Sequence, residues 1–342
     1  MLARAAESLF WLARYMERAD YVARLLQVAG HMNAVRVDAD RNSEWESAIV
    51  AAGCESYFKL HPVADEVTVV DYLAFSRDNP SSIANCIETA RRNARAVRTA
   101  LTAEMWEAVN ASWQELDQYR SRTLSQERLA EFLEWVKSRV GLFHGVCSNA
   151  MLRLDGFHFA RVGQFLERAD NTARLLDVKY HVRLPEVGDV GGAVDYYQWL
   201  ALLRVLGARR AYRVLFKGPV QPSQVAELLI IRQEFPRSLA FCYGQINEHL
   251  GAIGSQDSKL VVDAKRQSHS MYTNLRFARV DRIISGGLHE YLTDLIHRNG
   301  ELGAEIAKGH LFQVVHPAEP APAEMRDDST SQTQSQTQTR DS

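Results

Sequence analysis

Residues 16–26 read MERADYVARLL, and residues 166–176 read LERADNTARLL, 150 positions further along the chain. The glutamate, both arginines and the aspartate are identical in the two stretches. More matches follow in the same order, at offsets of 154 to 156, and they are Trp45 with Trp199, Gly53 with Gly207, Tyr57 with Tyr212, Pro80 with Pro236, and Cys86 with Cys242. A repeat of this length exceeds a solenoid unit and indicates a tandem duplication, with homologous halves at residues 1–150 and 151–312.

Both copies of the motif lie on a helical hydrophobic pattern. Apolar residues recur every three or four positions, which is typical of a packed helix. In the first copy they are Leu9, Leu12, Met16, Ala19, Ala23 and Leu26, and in the second Phe159, Val162, Leu166, Ala169, Ala173 and Leu176. The small alanines allow close helix packing, so we expect helices 3–35 and 151–182 to lie centrally, about a pseudo-twofold axis. With no hairpin signals elsewhere, the sequence predicts an all-α helical bundle.

Two further features bear on the boundaries of the elements. Pro80 and Pro236 predict helix starts, because proline is tolerated in the first turn of a helix. Residues 313–342 are rich in Pro, Ser, Thr and Gln and contain few large apolar side chains. Such a segment cannot offset the entropy of ordering, so we expect a disordered C-terminal tail.

The bulk composition excludes several classes of protein. The 342 residues carry a formal net charge of −2, without the basic stripe that a nucleic-acid or anionic-membrane binder needs. No secretory signal opens the chain, and no stretch approaches 18 uncharged apolar residues, so no membrane span is expected. The four cysteines lie far apart without a Cys-x-x-Cys pair. Reduced thiols and a cytoplasmic location are therefore expected.

The repeated charged residues form the candidate functional site. On a helical wheel, Glu17 and Arg24 lie on one side, and Asp20 is placed to pair with Arg24 at i,i+4. By the same wheel, Arg18 and Arg168 lie further round, away from the apolar seam. The remaining candidates of this set are Arg14 in the first copy and Glu167, Asp170 and Arg174 in the second.

Three interpretations of these charges remain open. They form a solvated face, in which each i,i+4 pair contributes about 0.3–0.5 kcal/mol. Alternatively, they form a buried arginine–carboxylate network that joins the two halves, since arginine suits planar bidentate pairing. In the third interpretation, the carboxylate of one half faces the arginine of the other in a ligand site. The identity of both copies favours a role that depends on geometry.

Motifs for other chemistry are missing from the sequence. There is no phosphate-binding loop and no Gly-x-Gly-x-x-Gly, so nucleotide binding is not expected. A four-helix di-iron site needs Glu-x-x-His on two helices, and the chain contains none. Asp155-x-x-His158 and Asp294-x-x-His297 occur at non-equivalent positions in the two halves. Neither a metal site nor a cofactor is therefore expected.

Four segments together resemble the bacterial alpha-E domain family over about residues 1–312. They are LARAAESLFWLARYMERAD at 2–20, NPSSI at 79–83, LERADNTARLLDVKY at 166–180 and EFPRS at 234–238. The resemblance implies an all-α fold. It matches the most characteristic positions of the family to Glu7, Arg14, Glu17, Arg18, Glu167, Arg168 and Asp170. The chain has Gln164 where a typical second copy has an arginine, which puts an arginine role there in doubt.

The resemblance also implies partners. Members of the family usually accompany a circularly permuted ATP-grasp protein and a transglutaminase-like cysteine peptidase. This implies a helical scaffold or peptide-handling subunit of an ATP-grasp-dependent peptide (amide) ligation or processing system. The alternative is an enzyme in which Glu17 and Glu167 perform acid–base chemistry on a peptide or γ-glutamyl linkage. For that, one glutamate would need a raised pKa while the other stays ionised. The sequence leaves the oligomeric state open.

Overall fold

The structure, a computed structural model, describes residues 3–35, 43–120, 124–181, 192–254 and 259–309. The described residues form α-helices and short 3-10 turns without any strand, which confirms the all-α prediction. The tail predicted for residues 313–342 lies outside them. The α-helices are α1 (Ala3–Val35), α2 (Ser43–Ala51), α3 (Glu66–Ala74), α4 (Ile83–Ala96), α5 (Ala103–Leu116), α6 (Gln126–Ala150), α7 (Asp155–His181), α8 (Ala193–Val205), α9 (Arg209–Phe216), α10 (Pro222–Ile230), α11 (Leu239–Ala252), α12 (Lys259–Arg276), α13 (Val280–Ser285) and α14 (Leu288–Gly309).

The long helices α1 and α7 pack against each other and form the centre of the molecule. In the first half, α1 packs on α4 and α6, and α5 packs on both of these. In the second half, α7 packs in the same way on α11 and α14, and α12 packs on both. The result is two four-helix bundles joined along α1 and α7, with one hydrophobic cluster running through both. No helix in the described part of the chain has the length and apolar content needed to cross a bilayer.

Positions that match between the two halves have the same local structure. Gly53 follows α2 with a φ of 66°, and Gly207 follows α8 with a φ of 67°. Glycine adopts this left-handed conformation without a steric penalty, and it commonly ends helices in this way. The Tyr57 hydroxyl donates to a backbone carbonyl six residues later at 3.1 Å, and that of Tyr212 to one seven residues later at 2.9 Å. These parallels agree with a duplication, which itself stays a prediction, as do the domain limits placed at 150 and 312.

Serines rather than prolines begin the two equivalent helices α4 and α11. The helices start three residues after Pro80 and Pro236, so the predicted starts are early. The Ser82 Oγ accepts a hydrogen bond from the third N–H after it at 3.3 Å, and Ser238 Oγ does the same at 3.1 Å. A serine at this position satisfies an N–H group that has no partner within the helix. The prolines therefore belong to the turns that precede the caps.

The backbones of the two central helices approach each other closely at Gly163 on α7. A Cβ atom at this position would lie 2.3 Å from the carbonyl oxygen of Phe10 on α1. The alanines at 19, 23, 169 and 173 are also fully buried, as the hydrophobic pattern predicts. Gly163 nevertheless allows a closer approach than alanine would, since the α7 backbone passes directly against the α1 backbone.

We expect Gly163→Ala to destabilise the protein, because the added methyl group would clash with backbone atoms of Phe10, which cannot move away by a change of rotamer as a side chain could. Overpacking of this kind costs about 1–3 kcal/mol, and a backbone obstacle places this site at the upper end. Urea denaturation would measure the change. Gly145→Ala on α6 is the matched control, since a Cβ there meets nothing within 4 Å. The control should gain up to about 1 kcal/mol from helix propensity. Equal stability of the two variants would contradict the close contact.

Candidate functional site

Glu17 is fully buried on α1 and is held mainly by an arginine of α7. Arg168 Nε donates to Glu17 Oε1 at 2.7 Å, and its Nη2 donates to Oε2 at 2.8 Å. Two parallel bonds of this kind are the strongest form of arginine–carboxylate pairing. Arg237 Nη1 lies 3.4 Å from Oε1, and His144 Nε2 lies 2.9 Å from Oε2. The carboxylate is thus surrounded by nitrogen atoms from three separate segments of the chain.

Glu167 makes the reciprocal contacts from α7 to α1. Its Oε1 accepts a hydrogen bond from Arg18 Nε at 2.5 Å, and its Oε2 accepts one from Arg14 Nε at 2.7 Å. Arg18 Nη2 adds a longer bond to Oε2 at 3.3 Å. Each central helix therefore places a buried glutamate against arginines of the other.

The aspartates of the two motifs pair within their own helices. Arg24 Nε donates to Asp20 Oδ2 at 2.7 Å, and Arg174 Nε donates to Asp170 Oδ2 at 2.6 Å. Both are the i,i+4 pairs that the helical wheel predicts for this spacing. Arg24 also donates to the carbonyl of Val205 at the end of α8. The aspartates therefore hold their arginines in place within each motif.

The direction of Arg18 and Arg168 corrects the helical wheel, which placed them away from the seam. Both guanidinium groups reach the glutamate of the opposite helix instead. The wheel gives the direction of Cα–Cβ, but arginine has a flexible aliphatic stem that can carry its charge around the helix. Aromatic rings pack against both bent side chains. The guanidinium of Arg18 lies 5.6 Å from the ring centroid of Tyr15, and that of Arg168 lies 5.4 Å from the ring centroid of Phe165.

The two halves of the network differ at one position of the repeat. Gln164 stands where the first half has Arg14, so α7 lacks the second arginine. Arg237, from the turn before α11, supplies it, and its Nη2 also donates to Asp20 Oδ2 at 3.0 Å. Each glutamate thus keeps two arginine partners. The repeat alone does not reveal Arg237, because the first half has Ser81 at the equivalent position.

Two other residues of the site show what sequence reasoning could and could not place. Glu7 lies on α1 seven residues before Arg14, about 10 Å along the helix axis, and is partly buried. No pattern in the sequence pointed to His144, which reaches Glu17 from α6. The interface therefore combines repeated residues with groups from more distant helices.

The electrostatic setting keeps both glutamates ionised. Burial alone would raise the pKa of Glu167, but Arg18 and Arg14 outweigh it and lower that pKa to about 2. Burial opposes ionisation of Glu17 too, yet Arg168 and its neighbours hold the pKa well below its usual range. The pKa of His144 is lowered, because burial outweighs the effect of the nearby carboxylate. Both glutamates are therefore carboxylates at neutral pH, and the imidazole is neutral.

This arrangement suits charge pairing better than proton transfer. A general acid needs a pKa raised towards neutrality, and neither glutamate has one. The surface of the described residues has two depressions, one within residues 277–291 and one within residues 71–120. Neither glutamate lines either of them. The geometry corresponds to the buried network among the three sequence interpretations.

The histidines and cysteines do not converge on a ligand set in the described part of the chain. No group of three or more His, Cys, Asp or Glu side chains there could hold a metal ion. His158 Nδ1 lies 3.1 Å from His249 Nδ1, so this histidine contacts another imidazole. All four cysteines are buried and free of disulfide bonds.

We expect Glu167→Gln to destabilise the protein strongly, because Arg14 and Arg18 would lose their shared carboxylate. Removing one partner of a buried ion pair costs about 3–5 kcal/mol. Chemical denaturation would measure the loss. Asp281→Asn is the control, since this side chain is 78% exposed and its pair with Arg279 is on the surface. The control should change stability by less than about 1 kcal/mol. A loss that small for Glu167→Gln would mean that the network does not hold the fold.

Stability should also fall in acid through Glu167. Its folded pKa of about 2 lies below the value of about 4.3 expected for the unfolded chain. The unfolded state therefore binds the proton first, and the stabilisation is full above about pH 5 and lost as pH falls towards 2. At about 1.4 kcal/mol per pKa unit, the loss is roughly 3 kcal/mol. Denaturation between pH 2 and 7 would show this slope, and it should be shallower in Glu167→Gln. Parallel profiles would contradict the assignment.

Comparison with known proteins gives relatives of much greater length. The chain is 25% identical over 321 residues to an uncharacterized protein of Mycobacterium bovis, and 24% identical over 321 residues to one of Mycobacterium tuberculosis. Each match covers 86% of this chain but 35% of the relative. The chain therefore spans about a third of the length of the curated relatives it matches. No solved structure gives a significant match.

A family profile covers nearly the whole chain. The Alpha-E profile, described as "A predicted alpha-helical domain with a conserved ER motif", matches residues 1–311. The chain has two such Glu-Arg pairs, Glu17-Arg18 and Glu167-Arg168. The glutamate of each pair is buried at the interface, and the arginine of each pair binds the glutamate of the other. The fold and the family description agree, and the chain belongs to the Alpha-E family.

Proposed function

We propose that the chain is a non-catalytic helical subunit, a scaffold or peptide-handling partner in an ATP-grasp-dependent peptide (amide) ligation or processing system. The partners in this proposal are an ATP-grasp ligase-like protein and a transglutaminase-like cysteine peptidase. Both come from the family resemblance. The structural part of the proposal rests on the residues of the α1–α7 interface.

One observation carries the non-catalytic assignment. The two glutamates that would act as acid and base are both buried and both paired with arginines. Their pKa values are lowered together, whereas an acid–base pair needs values that are pushed apart. Buried ion pairs of this type also form in purely structural settings. Holding the two bundles together is thus a sufficient role for the repeated glutamates and arginines.

The length of the relatives supports a role beside other domains. About two-thirds of each curated relative lies outside the region that matches this chain. In those proteins an Alpha-E-like region is therefore covalently joined to further sequence. A helical unit that occurs in such a chain is suited to work with a neighbouring domain, and the same work can be done by separate subunits.

The direct test is to identify what accompanies the protein in its native host. We expect the tagged full chain to recover an ATP-grasp ligase-like protein in stoichiometric amount, and the complex to form amide bonds in the presence of ATP. The same tag on an unrelated helical protein controls for adventitious capture. Recovery of the chain alone, with no such protein in repeated purifications, would contradict the proposal.

A triple variant distinguishes the scaffold proposal from the enzyme alternative without leaving a buried charge unpaired. Arg14→Met, Arg18→Met and Glu167→Leu together replace one carboxylate and both of its arginines with apolar side chains. Replacing a complete buried ion cluster in this way is often neutral for stability. A scaffold should still assemble and support ligation at the wild-type rate. A folded, assembled variant without ligation activity would favour the enzyme alternative instead.

A further inference from the structure

Four arginines cluster at the end of α4 and just beyond it. They are Arg91, Arg92, Arg95 and Arg98, and the last three are exposed. Elsewhere in this protein arginines are commonly paired, but within the described residues none of these four has a carboxylate within 4.0 Å. The surface is therefore locally basic although the whole chain has a net charge of −2.

Two tryptophans of α5 hold part of this cluster in a defined geometry. The guanidinium of Arg91 lies 4.0 Å from the ring centroid of Trp113 and 5.9 Å from that of Trp106. The guanidinium of Arg98 lies 5.1 Å from the ring centroid of Trp106. Arg91 Nε also donates to Asn110 Oδ1 at 2.9 Å. Cation–π contacts of this kind orient the guanidinium groups, so less entropy is lost when they bind a ligand.

The second bundle shows that the fold does not require these charges. In α11 and just after it, the repeat positions of the four arginines are occupied by uncharged residues and one acid. These are Asn247, Glu248, Gly251 and Gly254. Like charges three or four residues apart destabilise a helix. Within α4 the pairs Arg91–Arg95 and Arg92–Arg95 have this spacing, and α11 forms without such a pair at the matching positions, which points to a role outside folding.

We propose that this α4–α5 surface binds a short acidic segment of a partner polypeptide. Arginine pairs with carboxylates in a bidentate manner, and three exposed guanidinium groups are available here. Residues 91 to 98 span roughly 10 Å, which matches about three residues of an extended peptide. Charge complementarity therefore identifies aspartate- or glutamate-rich sequence as the occupant.

The basic segment is short, and acidic residues precede and follow it in the sequence. Glu88 lies one turn earlier on α4, and Glu104 and Glu107 are exposed on α5. A nucleic acid carries its charges over a much longer path than these four arginines span, whereas a short acidic peptide matches that span. The surface shares no residue with the Glu17–Glu167 network, so it stands independently of the proposed function.

Binding can be measured with a fluorescein-labelled hexaglutamate peptide and the full-length chain. We expect saturable binding by anisotropy at about 0.15 M ionic strength, accompanied by a change in tryptophan emission. The variant R92E/R95E/R98E should bind at least about tenfold more weakly. The variant R209E/R210E/R213E on α9 is the matched control, because it reverses three exposed arginines for which the described residues provide no tryptophan platform. Its affinity should stay within about twofold.

Other outcomes would overturn the proposal. An equal loss in the α4 and α9 variants would mean that the peptide senses only overall charge. Tighter binding of a dodecathymidylate probe than of hexaglutamate, lost in the α4 variant, would make the surface a nucleic-acid site. Absence of hexaglutamate binding by the folded wild-type chain would also contradict it. Arg91→Lys tests the tryptophan contacts, because it keeps the positive charge while it weakens stacking on the rings. Unchanged peptide affinity and tryptophan emission in this variant would mean that the tryptophans do not contribute to binding.

Discussion

Two buried carboxylates at the centre of the molecule impose the main constraint on its structure. Glu17 and Glu167 are removed from water, and a carboxylate in that setting is stable only when cations and hydrogen bonds replace the lost solvation. The replacements come from the opposite helix in both directions, through Arg168 for one glutamate and through Arg14 and Arg18 for the other. Since each bundle contains one of the central helices, these pairs also set the relation between the bundles.

The sequence predicts the parts of this arrangement that depend on helical periodicity. The pattern of leucines and alanines is sufficient to identify the two central helices, and i,i+4 spacing is sufficient for the pairing of Asp20 with Arg24. It could not predict the reach of Arg18, because a helical wheel does not describe how a long side chain bends. It could not place His144 either, since nothing local ties a residue of α6 to Glu17. Periodicity thus carries the fold, while the complete site needs tertiary structure.

The differences between the halves are as informative as the repeat. Gln164 removes an arginine from one side of the interface, and Arg237 restores the charge from a different segment. The feature common to both halves is the number of guanidinium groups around each carboxylate, while the positions of these arginines along the chain differ. The outer surface shows no such common feature, because the arginines of α4 have no arginine at the equivalent positions of α11. The interior thus keeps the same charge pairing in both halves, whereas the charges on the outer surface differ between them.

The contact between Gly163 and the carbonyl of Phe10 also limits how the molecule can move. Packed helices commonly slide by an ångström or two in shear motions. Here, sliding by one residue would bring a side chain of α7 against the α1 backbone at the point where only hydrogen fits. The contact therefore opposes sliding of the two central helices along each other. A partner that binds this protein thus meets a centre in which relative sliding of the two longest helices is sterically opposed.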